Sequence, residues 1–431
     1  MHRYLKIILV LLFSLPLLPV SGQKMINSPY SRFGPGIIEQ QGSLKSRSMG
    51  GAGIALRDPS SINYLNPASF SSVDTNSFVF DFGMEYQANF LSEGDNSYYS
   101  DDINFHHLSM AFPITKWMGF ATGIVPYSNG YYNMVQNIEE GDALYDPLIG
   151  DYRNTHEGSG SYNNFFAGVG FSPLKNLSLG INFTYLFGNI ERDNIYLFTS
   201  DNNQFNNISS EKIRVYGFNF DYGVQYSLEL KNDYFASMGL SYSVKQSYKS
   251  EYEKTFARYA PYQDTGYSVD TLTHVSDDNA RVELPEEMGL GIAFGKKDLF
   301  MLTADYTQSK WNDISFAGYG QYLVNSSSVK LGAEFIPDKD ANYNYFNRVE
   351  YRIGGHVSES HLMVNGEQLK EFGITFGAGF PMNRSKSKIN LHIEYLNRAG
   401  SSDSGLHNEN CLTVGISLNL YDYWFMKQKY N

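Results

Sequence analysis

Apolar and polar residues alternate from Ser77 to Phe90. Phe78, Phe80, Phe82, Met84, Tyr86, Ala88 and Phe90 take every second place; Ser77, Asp81, Gly83, Glu85, Gln87 and Asn89 fill most of the rest, with Val79 the exception. A period of two puts these sets on opposite faces of an extended strand. The run exceeds the roughly 5–6 residues of an ordinary strand and reaches the about 9–11 tilted residues that cross a bilayer. It predicts one face toward lipid and one toward a lumen. The pattern returns most cleanly at Tyr216, Phe218, Phe220, Tyr222, Val224, Tyr226 and Leu228, set against Gly217, Asn219, Asp221, Gly223, Gln225 and Ser227. It closes with Leu412, Val414, Ile416, Leu418 and Leu420 against Thr413, Gly415, Ser417 and Asn419. Trp424 and Phe425 follow where an interfacial girdle belongs, and Lys427 and Lys429 end in water.

About fourteen such strands are expected, an even count as in bacterial outer-membrane barrels. Between the three above lie Ile103–Ile114, Trp117–Tyr131, Ser161–Phe171, Leu177–Ile190, Phe235–Tyr252, Glu283–Phe294, Leu299–Trp311, Ser327–Ile336, Arg348–Val357, Phe372–Phe380 and Ile389–Tyr395. Short turns (Ile114–Lys116, Pro173–Asn176, Lys231–Asp233, Gly295–Asp298, Pro337–Ala341, Asn383–Ser387) alternate with longer polar stretches read as loops: Ser92–Asp102, Val135–Gly160, Glu191–Ser210, Thr255–Arg281 and Gly400–Asn410. Short periplasmic turns and long outer loops are the barrel rule. The predicted class is all-β, a transmembrane antiparallel β-barrel.

Residues 1–22 read as a signal peptide: Arg3 and Lys6, an apolar run from Ile7 to Leu18 broken by Ser14 and Pro16, then Val20-Ser21-Gly22. Residues 23–75 lack long alternation and carry Gly34, Gly36, Gly42, Gly50, Gly51 and Gly53 with Pro29, Pro35, Pro59 and Pro67. They read as a compact irregular segment with one short helix near Ile54–Leu56. Their apolar residues need a surface, which a barrel lumen supplies; the alternative is a flexible periplasmic leader. Residues 76–424 form the barrel and 425–431 a periplasmic tail.

Composition sharpens this only in places. The chain has 431 residues, 34 Tyr, 30 Phe and 39 Gly, which suits aromatic girdles and a small-residue lumen. A net charge of −12 disfavours a nucleic-acid partner. Cys411 stands alone, so neither an internal disulfide nor a Cys-based metal site arises. Adjacent His106 and His107 should point to opposite strand faces, which argues against a shared metal ion. His356 and His361 read as solvated. His156 with Ser159 or Ser161 lacks an orienting partner, so no catalytic residue is assigned and no enzyme is expected. Gly50-Gly51-Ala52-Gly53 follows no strand and lacks a phosphate-loop lysine. Glu139, Glu140, Asp142, Asp146, Asp277 and Asp278 read as solvated acidic loops. No cofactor or metal is expected.

Several segments together resemble the FadL-like outer-membrane transporters, the long-chain fatty acid and aromatic hydrocarbon channels, in their Bacteroidota form. They are Arg47-Ser48-Met49-Gly50-Gly51-Ala52-Gly53 with Asn66-Pro67-Ala68, then Gly123–Ser128, Leu177–Gly180, Leu284-Pro285, Ser309–Trp311 and Ser417–Asn419 with Trp424-Phe425. The resemblance implies a fourteen-stranded barrel plugged by an N-terminal hatch, with Gly50, Gly51, Gly53, Asn66, Pro67 and Ala68 as the hatch motif. It implies passive passage of hydrophobic molecules toward a lateral opening at a kinked third strand, where Pro126 falls. The implied partners are outer-membrane lipid and a hydrophobic small molecule. No side-chain set in the sequence defines a fatty-acid pocket, so the alternative is a non-transporting barrel subunit of an outer-membrane assembly or secretion complex. Such a subunit would meet other envelope proteins through its long outer loops.

Overall fold

The computed structural model describes residues 28–423, except 94–95, 199–204, 263–265, 318, 384 and 400–406. The expected signal peptide, Trp424, Phe425 and the tail lie outside the described residues. In chain order the strands are β1 (Ile37–Ile38), β2 (Ser77–Glu93), β3 (Asn96–Thr115), β4 (Met118–Asn129), β5 (Tyr132–Ile138), β6 (Tyr152–Phe171), β7 (Leu177–Phe198), β8 (Asn206–Glu229) and β9 (Tyr234–Ser243). They continue as β10 (Gln246–Tyr262), β11 (Gly266–Leu284), β12 (Glu287–Lys296), β13 (Phe300–Ser309), β14 (Ser326–Phe335), β15 (Glu350–Val364), β16 (Glu367–Pro381), β17 (Lys388–Ala399) and β18 (Asn408–Tyr423).

Fourteen of these close an antiparallel ring: β2, β3, β4, β6 to β9 and β12 to β18, with β18 returning to β2 from Tyr423↔Ser77 to Asn408↔Ser92. Closure pairs each ring strand with a neighbour on both sides over at least part of its length, as hydrocarbon requires, and the β3–β4 ladder is the short one. The alternation in sequence is the alternation of faces. On β8, Phe218 is 54% exposed on the outside, while Gly223 and Gln225 are buried on the inside. Ile292, Leu331, Ile353, Phe376 and Ile416 extend this exposed apolar belt around the wall. Among the described residues no helix is long and apolar enough to cross a membrane. The spans are strands.

Two predicted strands are broken where local chemistry interrupts the ladder. The stretch Phe235–Tyr252 divides into β9 and β10, which pair with different parts of β8. The stretch Glu283–Phe294 divides at Pro285, which has no N–H to donate, so β11 and β12 separate there. The long polar stretches are largely strand rather than loop. β7 and β8 stay paired to Tyr196↔Asn207, β10 and β11 to Tyr262↔Gly266, and β5 pairs with the outer part of β6. Strands that stand in water need no apolar face, so their two-residue period carries no hydrophobic signal. The acidic residues Glu139, Glu140, Asp142, Asp277 and Asp278 are exposed on them and their connections.

Cys411 points into the ring, buried, with its Sγ 3.3 Å from Asn89 Oδ1. Maleimide should therefore leave the folded barrel unlabelled and modify the chain promptly after denaturation. Rapid labelling of the folded protein would contradict this placement.

Candidate functional site

The interior of the ring is occupied by residues 28–76. They hold β1, one short α-helix, α1 (Leu44–Arg47), two 3₁₀ turns at Pro29–Arg32 and Pro67–Ser72, and other turns; Ile54–Leu56, expected to be helical, is not. Helix α1 stops because Gly50 and Gly51 take positive φ of 69° and 81°, a left-handed conformation that glycine adopts without strain. That turn presses backbone against the wall. A Cβ on Gly354 would lie 2.2 Å from Gly50 N, and a Cβ on Gly332 2.5 Å from Met49 O. Gly239 and Gly291 leave room in the same way for Ile54–Ala55, and Gly170, Gly180 and Gly223 for Pro67 and its neighbours. Inward glycines are thus the footprint of the segment on the strands. The expected barrel face contained them, but only their phase relative to the lipid-facing residues would have singled them out.

Polar contacts fix the segment on all sides. Asn66 is fully buried; its Oδ1 accepts from Ala68 N at 3.1 Å, and its Nδ2 donates to Ile54 O (2.9 Å), Val224 O (3.2 Å) and Leu240 O (3.2 Å). Gly50 N donates to Thr375 Oγ1 (2.8 Å), and Gly53 N and Ile54 N to Asp305 Oδ2 (2.6 and 2.9 Å). Pro67 and Ala68 are buried at the start of a short 3₁₀ turn. The six residues Gly50, Gly51, Gly53, Asn66, Pro67 and Ala68 therefore all sit at contacts with the inner wall or at the turns that shape them.

Charge is concentrated at α1. Arg47 forks between Glu85 (2.9 Å) and Glu394 (2.8 Å), and Lys45 between Asp58 (2.7 Å) and Glu334 (3.3 Å). Arg352 extends this network to Glu334 and Glu350, and Arg398 joins Glu371 and Glu409, both at 2.7 Å. Burial pushes the Arg47 guanidinium pKa down, but Glu85 and Glu394 outweigh it and hold the pKa above its ordinary value. Burial would raise the Asp58 carboxyl; the ammonium groups of Lys45 and Lys388 instead hold it well below its ordinary range. A carboxylate depressed on folding stabilises the fold above its unfolded pKa of about 3.9 and loses that contribution as pH falls through the folded value. The segment should therefore resist pepsin pulses equally at pH 5 and at the top of pepsin's range, and loosen only below about pH 4. Loosening that begins well above pH 5 would assign the seat to other groups.

Histidine placement differs from the expectation. His107 pairs with Gly83 and Phe105 with Met84, so His106 is an extra, bulged residue, and both rings turn inward with Nδ1 atoms 2.5 Å apart. A bulge suspends the two-residue period, which is why the sequence argument failed. His107 Nε2 lies 3.3 Å from Asp81 and His106 Nε2 3.6 Å from Glu85. Among the described residues no group of three or more His, Cys, Asp or Glu could hold a metal ion. His356 and His361 are buried rather than solvated: His356 faces Glu394 at 3.7 Å, and His361 stacks on Trp311 and meets Gly36 O at 3.2 Å. His156 Nε2 is 3.1 Å from Asn154 Nδ2.

The outer end of the lumen is apolar and filled. Trp311, Ile314, Phe316 and Leu323, from the connection between β13 and β14, fold inward onto Tyr30, Tyr162 and Leu362. Below them remains a cavity of about 380 Å³, whose lining includes Arg47, Asp221, Glu371, Glu394 and Arg398. On one side the wall opens. β3 and β4 pair only from Thr115↔Met118 to Leu108↔Ile124. Beyond that point β4 turns inward, with a register shift against β6 between Pro126 and Ser128. Its freed edge is covered by the segment: Ile37 and Ile38 pair with Asn129 and Ser128, Glu39 N donates to Tyr127 O (2.9 Å), and Gln41 Nε2 to Pro126 O (3.0 Å). Pro126 thus sits where the third ring strand leaves its neighbour.

Solved structures with a similar fold include monoaromatic hydrocarbon channels and a FadL homologue. The CymD monoaromatic hydrocarbon channel superposes with a TM-score of 0.59 at 14% identity, over 92% of this chain and 100% of that one. The Ralstonia pickettii toluene transporter TbuX gives 0.54 at 14%, over 91% and 98%. A Pseudomonas aeruginosa FadL homologue gives 0.56 at 11%, over 89% and 99%. At such identity the likeness establishes the fold, and the FadL resemblance holds at that level. No curated protein sequence matches the chain. The family model that does match, BamG, spans residues 1–431, the whole length, and the protein belongs to the BamG family.

Proposed function

We propose that this protein is a non-transporting outer-membrane barrel, a subunit of an envelope assembly. The observation that carries the reading is the seating of residues 28–76. A hatch that shifts for passage must release its contacts cheaply. Here release would strand the buried charges of Arg47, Glu85 and Glu394, and breaking a buried pair costs about 3–5 kcal/mol. It would also orphan the carboxamide of Asn66 and uncover Gly50–Ala55 from the wall. In this reading Gly50, Gly51, Gly53, Asn66, Pro67 and Ala68 shape a fixed plug. Packed apolar side chains close the outer end, and the cavity beneath it sets the charges of Arg47, Glu371, Glu394 and Arg398 among apolar walls, which a hydrophobic solute would have to pass. The outer strand extensions supply partner surface. Gentle solubilisation and affinity purification tests this: other envelope proteins should be retained in fixed stoichiometry, and a chain recovered alone would remove the proposal.

A second reading, passive uptake of a hydrophobic small molecule such as a long-chain fatty acid, is favoured by one observation, the parting of β3 and β4 at Pro126. There the seam would be a lateral exit and the plug would move. Single-turnover release of a lumen-loaded labelled fatty acid into lipid nanodiscs would favour it; retention of the label would count against it.

A further inference from the structure

We propose that Lys249 and Arg281 form a docking site for the phosphate of an outer-leaflet glycolipid. The inference goes beyond the subunit reading and stands whether or not the barrel keeps partners. Register places the two cations. Lys249 pairs with Arg281 across β10 and β11, and with Tyr216 of β8 on its other side. Their chain neighbours Tyr248 and Val282 are buried on the inside, so both cations stand on the outer face, and both are exposed. Residues directly opposite each other in an antiparallel pair have Cβ atoms about 4.5–5.5 Å apart, and like charges there repel. The carboxylates two residues away on the same face are already engaged: Glu251 by Arg214 (2.7 Å), and Glu283 by Lys245 (3.3 Å) and the Ser315 amide (3.0 Å). Lys212 is paired with Glu191 (3.3 Å) and Lys310 with Glu286. Among the described residues of this band, Lys249 and Arg281 are the two cations without an ion pair.

An anion between the two turns repulsion into attraction, and the planar fork of an arginine suits the oxygens of a phosphate. Depth selects the kind of phosphate. Tyr216 is the last member of the lipid-facing row of β8, and beyond it the same face carries Arg214 and Lys212. The pair therefore stands where hydrocarbon gives way to headgroups. Below it β9 and β12 take the places of β10 and β11 in the wall, and Phe218, Leu240 and Leu290 are exposed toward lipid. A lipid whose phosphate sits on the pair lays its acyl chains on that apolar wall, whereas a free phosphate gains nothing from it. Basic groups at this depth recognise anionic headgroups.

Titration of the purified full chain in dodecyl maltoside with diphosphoryl lipid A, read by native mass spectrometry, tests this. Wild type should bind a single lipid molecule at low concentration. Lys249→Gln with Arg281→Gln should weaken that binding at least about tenfold, through loss of two headgroup contacts. Lys297→Gln with Lys339→Gln removes the same charge from the short turns at the opposite end, and should bind as wild type does. Fully dephosphorylated lipid A should bind wild type as weakly as the first variant binds the intact lipid. Equal binding by wild type and the first variant, equal loss in the two variants, or indifference to the lipid's phosphates overturns the proposal. So does displacement of the lipid by inorganic phosphate at equal concentration, which would mark a site for free anion. Without lipid, the unfolding midpoint of the first variant should match or exceed that of wild type, because a repulsive pair is gone. A lower midpoint would mean that groups of the chain already compensate the pair, and would likewise overturn the site.

Discussion

Arg47→Met is expected to unseat the interior segment of an otherwise intact barrel. The substitution keeps the length and apolar stem of the side chain but leaves Glu85 and Glu394 buried without their cation. Removing one member of a buried pair costs about 3–5 kcal/mol, far above the effect of an exposed pair such as Lys297–Glu229. Arg47→Lys should recover part of this, because an ammonium restores charge without the two-pronged geometry. Limited proteolysis of the folded protein in detergent reads the outcome. Wild type should resist cleavage between residues 28 and 76. The methionine variant should be cut there while β2 to β18 stay folded. Equal resistance of the two proteins would mean that the ion pairs do not hold the segment.

Gly354→Val should have an effect of similar size by a different route. The first atom added lies 2.2 Å from Gly50 N and from Met49 C, both backbone, so no side-chain rotation relieves it. Ordinary overpacking costs about 1–3 kcal/mol, and contact this close with main chain belongs at or beyond the upper end. The Gly50–Gly51 turn must lift, taking with it the bond from Gly50 N to Thr375. Gly180→Val does the same at Pro67 and Ala68, where the distances are 2.2 and 2.3 Å. These sites touch different parts of the segment. The double variant should therefore lose roughly the sum of the two single losses in unfolding midpoint, as independent sites do. A Gly354→Val protein with wild-type unfolding and protease resistance would contradict the close packing of segment on wall.

Much of the barrel was legible because its main force is written one residue at a time. The row Phe78–Phe90 faces lipid, the row Tyr216–Leu228 does so on β8, and each of the fourteen predicted strands contains one strand of the ring, two of them with a further piece that belongs to β10 or β11. What stayed hidden depended on contacts between distant positions. Val79, the apparent exception in its row, faces inward with Phe70 and Tyr421, so it belongs to the packing of the segment. His106 broke the period through a bulge that only its pairing with β2 reveals. Buried His361 looked like a surface residue because the surface it packs against, Trp311, arrives from an inward-folding connection fifty residues away in sequence. The outer halves of β7, β8, β10 and β11 read as loops because water on both faces removes the hydrophobic period. The glycines of the inner wall were visible as residues, but their role needed the opposing backbone of residues 49–68 to give it meaning.

Uptake of labelled sucrose, which does not cross lipid unaided, by liposomes holding the purified full chain tests the fixed plug most directly. With residues 28–76 seated as described, entry should match that into protein-free liposomes of the same lipid, and Arg47→Met should be needed to raise it. Faster entry through the wild-type barrel would contradict a closed lumen.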